Sequence, residues 1–197
     1  STRKESSAAS DVYKRQNGGM TMYQIGQCIV YRNVGVCRVE AIGKLGFTSD
    51  KDKEYYTLQP HNANGNAKIY VPVDKDTFMR NVITKDEVYE YLNKLQTMQI
   101  EPFTSKKTVQ LTEHYRELLG DYSIEQHLKL FKEISQKEEK AIKNGKKLGQ
   151  LDTNYKNQSL HLLVDEFSYA LNETQEASKK RLYDAVLSLI HISEPTR

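Results

Sequence analysis

The sequence predicts an α+β protein: a small Tudor/SH3-like β-barrel on the N-terminal side, followed by an all-α helical bundle. Three observations carry this. Residues 22–78 consist of short alternating apolar segments separated by turn residues. After Arg80 the apolar period lengthens to three and four residues. Helix-opening signals then recur ahead of each apolar stripe.

In the first part, residues 27–32 form a strand candidate with Ile29 and Tyr31 on one face and Cys28 and Val30 on the other. Asn33-Val34-Gly35 supplies a turn in which Gly35 can adopt positive φ. Residues 36–42, the tyrosine-rich residues 53–59 and residues 68–73 give three further strands. The Asn-Gly pair within Asn62-Ala63-Asn64-Gly65-Asn66 is a hairpin signal between the last two. Four or five short strands in so few residues predict one antiparallel sheet curled into a closed barrel. Pro72 cannot donate to a ladder, so it belongs at an edge or a strand end.

In the second part, Thr84-Lys85-Asp86-Glu87 reads as a capping box that opens a helix with Val88, Tyr91, Leu92 and Leu95 on one face. Residues 99–107, which contain Pro102, read as a linker. A second helix is expected from Leu111 or Thr112, burying Tyr115, Leu118 and Leu119 and stopped by Gly120. Ser123-Ile124-Glu125-Gln126 looks like another capping box. Its helix turns Ile124, Leu128, Phe131 and Ile134 inward and ends at Asn144-Gly145. Asp152 or Thr153 is the expected cap of a long helix with the stripe Leu160, Leu163, Val164, Phe167 and Leu171, and a shorter segment around 182–186 follows. Single stripes on four or five helices predict a compact bundle.

The net charge is +3, yet residues 80–187 carry seventeen Lys and Arg against seventeen acids, so any nucleic-acid contact must come from a local patch. No apolar run approaches the roughly 18–20 residues that cross a bilayer, no secretory core opens the chain, and a cytoplasmic protein is expected. Cys28 and Cys37 read as two small buried thiols. The five histidines share no ligand spacing, and no phosphate loop, serine elbow or His-Glu-x-x-His motif is present, so neither a metal, a cofactor nor an enzymatic activity is expected. Residues 1–21 and 187–197 break the periodicity and resemble translated sequencing-adapter read-through. They are read as non-native tails around domains at 22–79 and 80–186.

Met22-Tyr23-Gln24-Ile25-Gly26-Gln27-Cys28-Ile29-Val30-Tyr31 resembles the opening of CarD-type bacterial transcription regulators, and Gly35, Val39 and Ile42 continue the pattern. So do Tyr55-Tyr56-Thr57-Leu58 and Ile69-Tyr70-Val71-Pro72-Val73. Arg80-Asn81-Val82-Ile83-Thr84-Lys85-Asp86-Glu87-Val88 resembles the junction of clostridial members, as do Gly149-Gln150-Leu151-Asp152-Thr153-Asn154-Tyr155 and Asp165-Glu166-Phe167-Ser168 further on. The resemblance spans roughly residues 22–185. It implies a barrel that docks on the RNA polymerase β-subunit and a helical domain that reaches the upstream fork of melted promoter DNA and tunes the open complex.

Two departures accompany the likeness. The better-studied branch opens its second-domain helix with a tryptophan wedge and basic residues; this chain has no tryptophan, and Leu111 holds the matching place with Glu113 close behind. Leu45 and Tyr70 stand where some relatives carry arginines.

The candidate polymerase-binding residues are Leu45, Lys68, Tyr70 and Pro72, with Tyr55 and Tyr56 as further candidates for an aromatic face. The candidate DNA-binding residues are Leu111 as an apolar wedge, Tyr115, Arg116, and the lysines Lys140, Lys143 and Lys147, which would share one helix face and bind phosphate. The expected partners are the polymerase β-subunit and, through a weak local contact, promoter DNA, with the chain a monomer. Two other functions fit the same residues: a polymerase-binding adaptor without DNA contact, and an SH3-like RNA-binding protein.

Overall fold

The computed structural model describes residues 23–62, 67–75 and 77–187. The chain divides into two compact units. One holds residues 37–79 together with the stretch up to Ile29; the other holds residues 30–36 and everything from Arg80 onward.

Five strands form one sheet: β1 (Cys28–Tyr31), β2 (Gly35–Lys44), β3 (Glu54–Pro60), β4 (Ile69–Pro72) and β5 (Met79–Asn81), in the order β4-β3-β2-β1-β5. A single 3-10 turn, Arg32–Val34, separates β1 from β2. The expected closed barrel is corrected here, because among the described residues β4 and β5 end the sheet on opposite sides. They are only four and three residues long, and Pro72 terminates β4 without an N–H to offer. The Asn-Gly turn lies outside the described residues, but the strands flanking it pair antiparallel, Tyr56 opposite Val71 and Leu58 opposite Ile69.

β2 pairs antiparallel with β3, and its register shifts between Val39 and Ala41. The extra residue is Glu40, so the inward face passes from Val39, opposite Leu58, to Ile42, opposite Tyr56. That phase change keeps Val39, Tyr56 and Leu58 in one core with Ile29, Cys37 and Val71. Tyr56 accepts the backbone N–H of Tyr23 at 3.2 Å, and Tyr23 donates its hydroxyl to the carbonyl of Met79 at 2.8 Å. In β1 the expected alternation fails: Ile29 and Val30 are both buried. Cys37 is buried and Cys28 half-buried, and both are thiols.

The second unit contains α1 (Lys85–Thr97), α2 (Thr108–Gly120), α3 (Ile124–Lys143), α4 (Gln150–Leu171) and α5 (Gln175–Leu187). The capping box at Thr84 forms in full: its hydroxyl accepts from the Glu87 N–H at 3.3 Å, and Glu87 Oε2 accepts from the Thr84 N–H at 2.7 Å. The second box forms by half. Ser123 accepts from the Gln126 N–H, while Gln126 Oε1 has no hydrogen-bond partner. α2 begins at Thr108, three or four residues earlier than expected, and includes Gly120. The chain reverses beyond it at Tyr122, whose φ of 58° lies in the left-handed region. Gly145, at φ 66°, closes α3 in the conformation glycine adopts at least cost. α4 starts at Gln150, so Asp152 and Thr153 lie inside its first turn rather than capping it. Thr153 Oγ1 instead donates back to the Gly149 carbonyl.

Val88, Leu95, Leu128, Phe131, Leu163, Phe167 and Leu182 form the main bundle core, with α1, α3, α4 and α5 all contributing. A second cluster gathers Tyr115, Leu118, Leu119, Leu130, Ile134 and Leu162 beneath α2. The single-stripe expectation fails for α4, which also buries Lys156, Ser159, Asp165, Glu166 and Ser168. Helices from both clusters pack on α4, so its polar residues are enclosed and must find partners inside. No helix among the described residues is long and apolar enough to cross a membrane.

Candidate functional site

Because β4 ends the sheet, one side of its backbone pairs with β3 and, among the described residues, no strand pairs with the other. Lys68, Tyr70 and Pro72 share one face of this segment by their spacing, and Val71 on the opposite face is buried in the core. Tyr70 lies opposite Thr57 on β3 and remains 41% exposed. Its ring meets Phe47 edge to face, with centroids 5.1 Å apart, and Phe47 is 71% exposed. Leu45 is half-buried in the turn that carries Phe47; its carbonyl accepts the Thr48 hydroxyl at 3.0 Å.

Lys68 is exposed and pairs with Glu40 at 2.6 Å, a contact that raises its pKa. The bulge that corrects the sheet's register thus also supplies the anion beside β4. The structure sets Lys68, Tyr70 and Pro72 along this edge and adds Phe47, two residues beyond Leu45 in the turn, which the sequence does not single out. An aromatic in a Gly-containing turn offers no periodicity to flag it. Tyr56 is removed from the expected aromatic face, since it is 1% exposed and hydrogen-bonded inside the core.

The candidates on the helical unit do not converge in the same way. Leu111 lies one turn into α2, half-buried against the second core cluster. Tyr115 is fully buried. Its hydroxyl donates to Asp152 Oδ1 at 2.5 Å and accepts from Lys137 Nζ at 2.6 Å. Burial, with the Asp152 hydrogen bond, pushes its pKa up, so the phenol stays protonated. Arg116, Lys140 and Lys143 are exposed, and Lys143 pairs with Glu139 at 2.6 Å. Lys147 does not share their helix face, because Gly145 has already ended α3.

A buried polar network replaces the expected DNA constellation at Tyr115. His114 Nε2 lies 2.9 Å from Glu133 Oε2, Phe103 stacks on the His114 ring at 4.6 Å, and the Phe103 N–H reaches Glu133 Oε1 at 3.1 Å. Glu133 is 1% exposed, and Lys137 stands 3.9 Å from it and 3.7 Å from Asp152. The linker before α2 is therefore pinned to α3. No sequence neighbour reveals this, since His114 and Glu133 are on different helices.

Within the same unit, Arg80 forms a bidentate pair with Glu166 at 2.5 and 2.7 Å, and Glu166 also accepts the Ile83 N–H at 3.1 Å. Asp165 accepts the Val36 N–H at 2.6 Å. Two segments that carried the family likeness, 80–88 and 165–168, meet here. Among the described residues no group of three or more His, Cys, Asp or Glu is placed to hold a metal ion.

No curated protein matches the chain. A family model does match, that of the CarD-like/TRCF RID domain, over residues 23–83. The matched stretch holds all five strands and stops just before the Thr84 cap of α1. Residues 23–83 thus form a domain of the CarD-like/TRCF RID family, the RNA-polymerase-interacting domain of transcription-related proteins.

Proposed function

We propose that this protein is a non-enzymatic, monomeric transcription regulator of the cytoplasm, of the clostridial-like CarD branch, that docks on the RNA polymerase β-subunit through the β4 edge. The observation that carries this reading is the exposed Phe47–Tyr70 pair beside an outward-facing edge strand that ends at Pro72. An edge strand can accept a partner strand by main-chain hydrogen bonds, and a paired aromatic anchor beside it adds specificity. The helical unit then reaches promoter DNA near the upstream fork through Arg116, Lys140, Lys143 and Lys147. Docking raises the local concentration of this unit at the DNA, so a weak phosphate contact suffices to tune the open complex.

A second reading, a polymerase-binding adaptor without DNA contact, is favoured by one observation: Tyr115 is buried in the bundle core, with Leu111 half-buried against it. Both readings are tested by retention of the protein on purified bacterial RNA polymerase and on its isolated β-subunit, followed by measurement of open-complex lifetime. Retention on both with a changed lifetime that Lys140→Ala/Lys143→Ala reverses supports the first. Retention with a lifetime insensitive to those substitutions supports the second, and no retention removes both.

A further inference from the structure

The helical unit carries a half-open cavity of about 500 Å³ between the end of α1, the middle and C-terminal half of α3, the start of α4, and α5. Its apolar wall includes Met98, Ile142, Tyr183 and Val186, and its polar wall includes Lys132 and Gln136. Four of its five charged side chains cancel in pairs: Lys156 with Glu138, and Lys143 with Glu139. Lys132 is the fifth. Its side chain is buried, and its ammonium donates to the carbonyls of Leu95 at 2.5 Å and Gln96 at 3.3 Å. Those contacts leave the positive charge without a carboxylate. Burial accordingly lowers the Lys132 pKa.

A largely apolar cavity with one cation that no carboxylate pairs matches the general form of a small-molecule site. We propose that this cavity binds a small amphipathic carboxylate, its headgroup compensating Lys132 and its apolar chain lying along Met98, Ile142, Tyr183 and Val186. A neutral analogue of the same length gains the apolar contacts and leaves the Lys132 charge unmatched. Selectivity for the anion therefore resides in Lys132, and affinity for the chain in the apolar wall.

The test is calorimetric titration of the full chain with octanoate and, separately, with octan-1-ol, with NMR shifts used to locate the site. The expected result is one saturable octanoate site per chain, at least about tenfold tighter than for the alcohol, with shifts at Ile142 and Val186. Lys132→Met is expected to abolish the preference for octanoate. Because Lys132 also caps α1, a second variant is measured: Ile142→Glu, at a position 67% exposed, where an acid at the mouth repels the anion. It removes part of the apolar wall for both probes and adds repulsion for the anion alone, so octanoate is expected to weaken about tenfold more than the alcohol. Equal affinity for the two probes, no saturable binding, shifts confined to other residues, or a preference unchanged by Ile142→Glu would each overturn the proposal.

Discussion

Tyr115 donates its phenolic hydrogen to Asp152 across the interface of α2 and α4, at 2.5 Å and with no exposure to solvent. The same oxygen accepts from Lys137, so it completes a chain of cation, hydroxyl and anion in which each member is satisfied by the next. Tyr115→Phe keeps the ring and removes the bridge. It leaves Asp152 and Lys137 facing each other at 3.7 Å with one hydrogen bond each unmade. Expected is a loss of about 1–3 kcal/mol in urea unfolding, with DNA association unchanged once the folded fraction is matched. A specific loss of DNA binding in a fully folded variant would return Tyr115 to the DNA surface.

The Glu166–Arg80 pair is nearly enclosed on the carboxylate side, where Glu166 is 5% exposed, and more open at Arg80, which is 25% exposed. Glu166→Gln retains an acceptor for the Ile83 N–H but loses the bidentate ionic contact. A double-mutant cycle with Arg80→Met is expected to give a coupling of about 1–3 kcal/mol, above the range of exposed pairs. A coupling indistinguishable from zero would mean that the pair is only a geometric neighbour.

Gly35 combines a φ of 98° with a carboxylate pressed against its backbone: a Cβ there would overlap Asp165 Oδ2. Gly35→Ala is therefore expected to cost about 1–3 kcal/mol from backbone strain alone, with the overlap adding to it. Adding Asp165→Ala to Gly35→Ala should relieve the overlap and leave the strain, at the expense of the Val36 hydrogen bond. Thermal unfolding of Gly35→Ala and of the double variant checks this, and a Gly35→Ala protein as stable as the parent would count against the close approach.

His127 is 4% exposed, and burial lowers its pKa from the ordinary 6.5. Arg80 acts in the same direction, against the Leu119 carbonyl, 3.4 Å from Nε2, and Asp121. An unfolded chain takes up this proton as pH falls through about 6.5 while the native ring resists it, so the unfolded state binds more protons. Stability therefore falls on acidification from about pH 7 until the native ring itself titrates. His127→Gln should flatten the dependence of the urea midpoint between about pH 7 and pH 5. Parallel slopes for the two proteins would assign the acid sensitivity to other groups.

These relationships divide by how far apart in sequence their partners lie. The Thr84 capping box, the Gly145 helix end and the stripe Leu128, Phe131 and Ile134 were legible because three- and four-residue spacing states them locally. The place of Pro72 was legible too, since a missing N–H confines it to an edge or strand end. The bulge at Glu40, the buried acids of α4 and the His114–Glu133 contact were not. Each depends on which element covers which, and α4 has no sequence mark that sets it at the centre of its unit. Tyr115 shows the consequence. Its i+1 neighbour Arg116 is exposed, and a motif likeness weighed both as DNA contacts, while a helix turns adjacent residues apart.

The edge pair Phe47 and Tyr70 gives the most direct test of the polymerase reading. Tyr70 lies outside the buried core of the sheet, since Val71 beside it fills the inward position and the Tyr70 ring meets the exposed ring of Phe47. Tyr70→Ala should therefore leave the unfolding midpoint of the domain within about 0.5 kcal/mol of the parent. Retention on the polymerase should fall by at least about 2 kcal/mol if the ring anchors the interface. Lys68→Ala removes an exposed ion pair with Glu40 and is expected to alter the association rate more than the dissociation rate. Surface plasmon resonance on immobilised polymerase separates the two effects. Unchanged dissociation with Tyr70→Ala would move the docking surface away from β4.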